Sequence, residues 1–348
     1  MKKIDVQKLV RDNIKKMKPY SSARDEFQDS NNSLVFLDAN ENPFENGINR
    51  YPDPQQNDLK KVLSKLKNIQ KNQILLGNGS DEVLDLLFRA FCEPHCDNVI
   101  TMPPTYGMYS VLANLNAIKN KEVELSQSFE IQTNDVLKSI DNFTKLIFIC
   151  SPNNPTGNSF NTANIEEIIQ NFNGIVVIDE AYIDFSAHES WLTKIETFPN
   201  LVIVQTLSKA HAMAGIRIGI IYASVEIIAV LNKIKPPYNI NTLSQNAAIK
   251  HLENQITTKK QIEILKEQKK LLINTLSKKH FVKKINDSDA NFILLKVDDA
   301  NQRYSQILAD GFVVRNRTND LLCNNCIRIS IGTETENKKL IKILNQYN

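Results

Sequence analysis

Three short segments of this 348-residue chain carry residues whose types and spacing could do chemistry. Thr206-Leu207-Ser208-Lys209-Ala210-His211-Ala212-Met213-Ala214-Gly215-Ile216-Arg217 puts two hydroxyls, an amine and a guanidinium close together. Cys150-Ser151-Pro152-Asn153-Asn154-Pro155-Thr156-Gly157 offers an amide, and Ile178-Asp179-Glu180-Ala181-Tyr182 a carboxylate followed by a phenol. Each segment leaves an apolar run that reads as a buried parallel strand. Open α/β sheets take their ligands beyond the carboxyl ends of the strands, so the three segments point to one sheet edge. An amine in that place can condense with an aldehyde to a Schiff base, and a carboxylate facing a pyridine nitrogen keeps it protonated and makes the ring an electron sink.

Those are the requirements of pyridoxal phosphate, and the chain offers the remaining parts. Gly77-Asn78-Gly79-Ser80-Asp81 joins a strand to a helix, where unpaired amides and the positive dipole end make an anion cradle. The Gly79, Ser80 and Asp81 amides, the Thr206 and Ser208 hydroxyls and Arg217 would hold the phosphate. Asn154 and Tyr182 would bond the phenolic oxygen of the ring, and Tyr106, after Pro103-Pro104-Thr105, would cover a ring face. Taken singly, these residues also read as a capping Asp, a core Tyr, a turn Asn and a solvated loop lysine. Their joint order is what favours the cofactor.

The elements that must position them follow from periodicity. Strands are expected at 34–38, 74–76, 99–101, near Val123, and at 146–150, 175–179, 201–205 and 218–221. Helices are expected at 57–68, 83–92, from about 105 to 115, near Val136 and at 164–172. Continuous Val/Ile runs alternating with helical patterns predict a doubly wound, mostly parallel α/β sheet covered on both faces. After Pro236-Pro237 the texture changes to a long Lys/Glu/Leu helix over 257–279, strands at 292–295, 311–315 and 327–331, and a helix near Ser305, which reads as a smaller α+β domain. The division is an arm and start of the small domain over 1–40, a large cofactor-binding domain over 41–240, and a small C-terminal domain over 241–348.

Composition excludes other classes. Hydrophobic content of 42%, 23% charge and only 10 Gly and 12 Pro describe an ordinary globular protein, and a net charge of +3 with acid and base interleaved gives no basic stripe for nucleic acid. No apolar run has the length of a bilayer span, and Met1-Lys2-Lys3-Ile4-Asp5 lacks a signal-peptide core, so a cytoplasmic protein with no membrane partner is expected. The five cysteines read as reduced thiols. Cys323-Asn-Asn-Cys326 has metal or redox spacing, but no second such pair accompanies it, and no metal is expected.

The ordered set SPNNPTG, IDEAY, TLSKAHAMAGIRIG and IRISIG resembles the fold type I, class I/II pyridoxal-phosphate aminotransferases over nearly the whole chain. The Pro-Tyr-x-Ser-Ala arm, Asp38-Ala39-Asn40-Glu41-Asn42-Pro43 and Arg50-Tyr51-Pro52-Asp53-Pro54 resemble the histidinol-phosphate aminotransferase branch. The resemblance implies a seven-stranded large sheet, Lys209 as Schiff-base lysine and acid/base, Asp179 on the pyridine nitrogen, and Asn154 and Tyr182 on the phenolic oxygen. It further implies Tyr106 stacked on the ring, with Gly79, Ser80, Asp81, Thr206, Ser208 and Arg217 round the phosphate. It implies a homodimer with Tyr51 supplied in trans, and Tyr20, Asn40, Glu41, Arg315 and Arg328 on the substrate. The expected activity is transamination of L-histidinol phosphate with 2-oxoglutarate in histidine biosynthesis; an aromatic-amino-acid aminotransferase and a phosphorylated-amino-acid decarboxylase share similar motifs. Where many relatives carry Phe and Gly after the lysine, this chain has Ala210-His211-Ala212, and His211 is expected at the surface without a catalytic role.

Overall fold

Alternation along the apolar runs decides the architecture. In the strand Ile74–Asn78 (β1), Ile74 and Leu76 enter one hydrophobic cluster and Leu75 another; in Ile175–Asp179 (β5), Val176 and Ile178 join the first while Ile175 and Val177 join the second. Strand side chains point alternately to opposite faces, so strands apolar at every position must be covered on both sides. Helices Asn57–Lys67 and Thr162–Asn171 cover one face, and helices Ser80–Phe91, Met108–Leu115 and Val225–Ile234 the other. The computed structural model describes residues 4–20 and 35–347.

The sheet is completed by Asn98–Thr101 (β2), Lys119–Glu122 (β3), Thr144–Cys150 (β4), Leu201–Thr206 (β6) and Ile218–Tyr222 (β7). Its seven strands run in the order β1-β7-β6-β5-β4-β2-β3. All are parallel except β7, which is antiparallel to both neighbours. The carboxyl ends of β4, β5 and β6 therefore deliver residues 150–157, 179–182 and 206–217 to one edge, as the apolar runs predict.

A second, antiparallel sheet, ordered β10-β11-β9-β8, comprises Val282–Ile285 (β8), Phe292–Val297 (β9), Arg315–Asn316 (β10) and Cys326–Ser330 (β11). Ile327 and Ile329 of β11 turn into its own core, built with helices Ile256–Leu276 and Glu334–Leu344. Cys326 turns the other way, into the core of the large sheet, and Arg328 shares its face.

Several expectations are corrected. Residues 35–38 form no strand, and Leu34 lies outside the described residues, as do Ser21, Ser22, Ala23 and Arg24 of the arm motif. The helix expected from about 105 starts at Met108, leaving Tyr106 in the turn before it. The strand expected at 311–315 shrinks to Arg315–Asn316. Val6, Val10 and Ile14 of the N-terminal segment are buried against the large sheet's second cluster, so that part of the arm is anchored.

The tightest packing lies where β7 meets β1. The Gly79 N–H donates to the Arg217 carbonyl at 2.8 Å, and a Cβ on Gly219 would stand 2.3 Å from the Gly79 carbonyl carbon and 2.4 Å from the Ser80 nitrogen. Backbone cannot yield as a side-chain tip can. Gly219→Ala should therefore cost about 1–3 kcal/mol of stability and weaken cofactor retention together, read by thermal melts and by dialysis against cofactor-free buffer; an unchanged melting temperature would contradict the close approach.

Candidate active site

β5 ends at Asp179, which is 3% exposed. Its Oδ2 accepts from the Tyr109 hydroxyl at 2.9 Å and its Oδ1 from the Ala181 N–H at 3.1 Å. Among the described residues no cation forms an ion pair with it, and burial raises its pKa from 3.8 to about 6. A carboxylate this deep, fixed in orientation and short of a positive partner, suits a protonated ring nitrogen brought by a ligand. The next residue, Glu180, faces away; its carboxylate accepts from Ser190 Oγ, the Trp191 N–H and Gln205 Nε2, and serves the framework.

Lys209 follows β6, with its Nζ 5.6 Å from the Tyr182 ring centroid. Partial burial, then the Arg328 guanidinium, hold its ammonium below the ordinary lysine range. A larger neutral fraction of amine follows, as a nucleophile and base requires. Tyr182 packs edge-on against Phe292 of β9, ring centroids 5.2 Å apart, and Arg328 lies over the same ring at 5.1 Å. Arg328 Nη1 donates to Asn154 Oδ1, joining the two sheets across the site. Asn154 thereby presents its Nδ2 as a donor, consistent with a bond to a phenolate oxygen.

The anion cradle is assembled from two neighbouring strands. Helix Ser80–Phe91 begins after Gly79, whose φ of +82° is open to glycine, and no side chain caps its first amides. Arg217 stands beside it in a left-handed conformation, φ 55°, so close that a Cβ on Gly79 would meet its Nη2 at 2.4 Å. Thr206 Oγ1 accepts from the Ser208 N–H at 3.1 Å and lies 3.0 Å from Ser208 Oγ. Uncapped amides, two hydroxyls and a guanidinium fit a phosphate monoester. The Asp81 carboxylate, itself an anion, cannot join them; it accepts from the Tyr106 hydroxyl at 3.0 Å and pairs with Arg217 at 3.8 Å, orienting both.

Residues 28–344 match the family model of the aminotransferases of class I and II. The chain belongs to that family. A histidinol-phosphate aminotransferase of Flavobacterium psychrophilum is 61% identical to it, the match covering 99% of each chain. Among solved structures, the histidinol-phosphate aminotransferase of Clostridium acetobutylicum has a TM-score of 0.79 at 26% identity, covering 86% of this chain and 90% of that one. The histidinol-phosphate aminotransferase of Sinorhizobium meliloti in complex with pyridoxal 5'-phosphate has a TM-score of 0.77 at 20% identity, covering 86% and 84%. The cofactor of this aminotransferase is pyridoxal phosphate, and the carboxylate, amine and cradle described above fit its nitrogen, aldehyde and phosphate.

The aminotransferase's own geometry adds residues that periodicity hides. Tyr109, wholly buried, orients Asp179; its one outward signal is its place three residues after Tyr106. Asn153, also wholly buried, ties the 150–157 loop to the Pro103–Tyr106 turn by donating to the Pro104 carbonyl at 2.9 Å and accepting from Thr105 Oγ1 at 3.0 Å. His211, expected at the surface, is 6% exposed: helix Thr242–Leu252 covers it, with its ring 5.5 Å from that of His251, and burial lowers its pKa to about 4. Cys323 and Cys326 are buried and free.

A second group gathers around Arg50 instead of Lys209. Glu41 accepts from Arg50 Nη1 at 2.8 Å and from the Tyr51 N–H at 2.6 Å. Tyr51 stacks on Tyr238 at 4.5 Å, while Asn40 (φ 55°) and Tyr20 are exposed.

Asp179 generates a pH prediction. A carboxyl that binds its proton more tightly folded than unfolded stabilises the fold below pH 3.8, a contribution lost as pH rises through about 6. At roughly 1.4 kcal/mol per tenfold in proton affinity, the loss is about 3 kcal/mol. Cofactor-free Asp179→Asn, whose oxygen can still accept from the Ala181 N–H and whose amide N–H can donate to the Tyr109 oxygen without any charge, should melt above cofactor-free wild type at pH 8, the gap closing towards pH 4. With cofactor bound the order should reverse.

Proposed function

We propose that this aminotransferase acts on L-histidinol phosphate, exchanging its amino group with 2-oxoglutarate to give imidazole acetol phosphate and L-glutamate in histidine biosynthesis. The observation that carries the reading is the 61% identity, over 99% of both chains, to a relative named for that activity. Arg328 and its cross-strand partner Arg315 support it, since two guanidiniums can take a carboxylate in one half-reaction and a phosphate in the other. When bound, the cofactor supplies an aldehyde to carry the amino group and a ring to take up an electron pair.

The chain's residues do the rest. Lys209 Nζ takes a proton from the substrate carbon bearing nitrogen and returns it to the cofactor's side, its lowered proton affinity raising the share of free amine at neutral pH. Asp179, held by Tyr109, keeps the ring nitrogen protonated through both transfers. Asn154 and Tyr182 fix the phenolic oxygen, and the Ser80 and Asp81 amides, the Thr206 and Ser208 hydroxyls and Arg217 hold the phosphate; the Gly79 amide, expected among them, is spent on the Arg217 carbonyl and shapes the turn instead. Tyr106, held by Asp81, covers the ring.

The same reading makes the protein a cytoplasmic homodimer in which Tyr51 reaches its partner's cofactor and Tyr20, Asn40 and Glu41 close over substrate. Exposed Val35, Leu37, Phe44, Ile48 and Leu243 support the dimer, since apolar side chains gathered on one segment and a neighbouring helix ask for cover. We divide the chain into the arm over 1–40 and parts over 41–240 and 241–348; the two sheets, spanning 74–222 and 282–330, are consistent with it.

Three measurements test this. Lys209→Ala should lose at least about 10³-fold in kcat and the borohydride-bleachable yellow colour, and wild type should transfer nitrogen to 2-oxoglutarate from histidinol phosphate faster than from phenylalanine; the opposite ranking would favour an aromatic-amino-acid aminotransferase. Co-expressed Lys209→Ala and Tyr51→Ala chains, each inactive alone, should recover activity as hybrid dimers, and no recovery would place Tyr51 outside the partner's site.

A further inference from the structure

The ladder between β10 and β11 pairs Arg315 with Arg328 and Asn316 with Ile327, and continues as the Arg317 N–H donates to the Cys326 carbonyl at 2.8 Å. Residues two apart on a strand share a face, as do cross-strand partners. Arg317 therefore lies on the face of Arg315, Arg328 and Cys326, and Cys326 packs into the large sheet's core, so this is the face turned towards Lys209 and Asn154. Three guanidiniums crowd there, with Asp320, 3.2 Å from Arg317 Nη1, as the carboxylate paired among them.

The cations remain underused. Arg317 Nε and Arg328 Nε are both buried without a hydrogen-bond partner. A buried donor left unmade is costly, so a site that keeps two such donors is built for an acceptor that arrives from outside. The Arg317 charge reaches both neighbours: burial and then Arg317 lower the proton affinity of Arg328, and at Tyr182, where burial raises it, the Arg328 and Arg317 guanidiniums pull the other way. One carboxylate carries one charge, whereas a phosphate monoester carries nearly two and offers three acceptor oxygens. Two arginines answer the first, and a third answers the second.

We propose that Arg317 is a specificity-determining residue of the substrate site, the third guanidinium of a subsite that prefers a phosphate dianion to a carboxylate. The inference rests on the reading of the substrate as a phosphate monoester and names the residue that selects it. Asp320 orients Arg317 in the free enzyme.

The experiment uses the cofactor-saturated enzyme. Inorganic phosphate, tested as a competitive inhibitor against glutamate, should bind wild type, and Arg317→Gln should raise its inhibition constant and the KM for histidinol phosphate by about 10–100-fold. The KM for glutamate should stay within about twofold, because the lost contact serves only the larger anion. Arg317→Lys, which keeps charge without the fork, should recover part of the loss. Asp320→Asn separates a turn brace from a binding role: it should leave phosphate binding unchanged or tighter, and if it instead reproduces Arg317→Gln the residue merely supports the turn and the proposal falls. Equal losses for both substrates, or phosphate affinity unchanged in Arg317→Gln, would overturn it too. Wild type that binds inorganic phosphate but rejects histidinol phosphate would overturn the functional reading while leaving the subsite in place.

Discussion

A carboxylate buried with no ion-pair partner among the described residues governs this molecule. Asp179 closes the central strand β5 under the site, held by one phenol and one backbone amide, and the Lys209 charge offsets only part of what burial costs it, which under the proposed reading a protonated ring nitrogen would make up. The fold tolerates the cost because β4 and β6 flank β5 and the sheet is covered on both faces, so the carboxylate cannot swing out to water. Binding and function thus draw on one source: the group that relieves Asp179 is the group whose electron demand the reaction needs.

The rest of the site is arranged at fixed offsets from that point. Lys209 and Arg217 belong to the connection between β6 and β7, which reverses direction directly instead of crossing over through a helix. Amine and phosphate anchor are thereby kept on one short stretch whose ends are both pinned in the sheet. The 206–217 loop is further pressed down by His211 against His251, so its geometry is set from beneath as well as from its ends. Across the gap, Arg328 ties the small sheet to Asn154 of the large one, so under the proposed roles substrate recognition and cofactor orientation would share a hydrogen bond.

Much of this was legible in the sequence, for a definable reason. Residues that follow unbroken Val/Ile runs must emerge at strand ends, and the position of Lys209, Asp179 and Asn154 at one edge needs no more than that rule. Tyr109 was not legible, because a Tyr on an apolar helix face reads as core until its hydroxyl is seen on Asp179. His211 lies in a polar loop between alanines, and only the packing of a helix from far along the chain buries it. Arg317 follows from strand register, which a two-residue strand does not announce. The supposed strand at 34–38 failed because its apolar residues, Val35 and Leu37, are exposed in the single chain.

The single antiparallel strand has a consequence for how the molecule is made. β1 holds a sheet edge and pairs with β7 alone, so the segment Ile74–Asn78, though early in the chain, has no sheet partner until residues 218–222 exist. On a ribosome, where N-terminal parts emerge first, β2, β4, β5 and β6 can align as they appear, whereas β1 must wait. The β1–β7 edge is consequently the last part of the large sheet to be closed during synthesis.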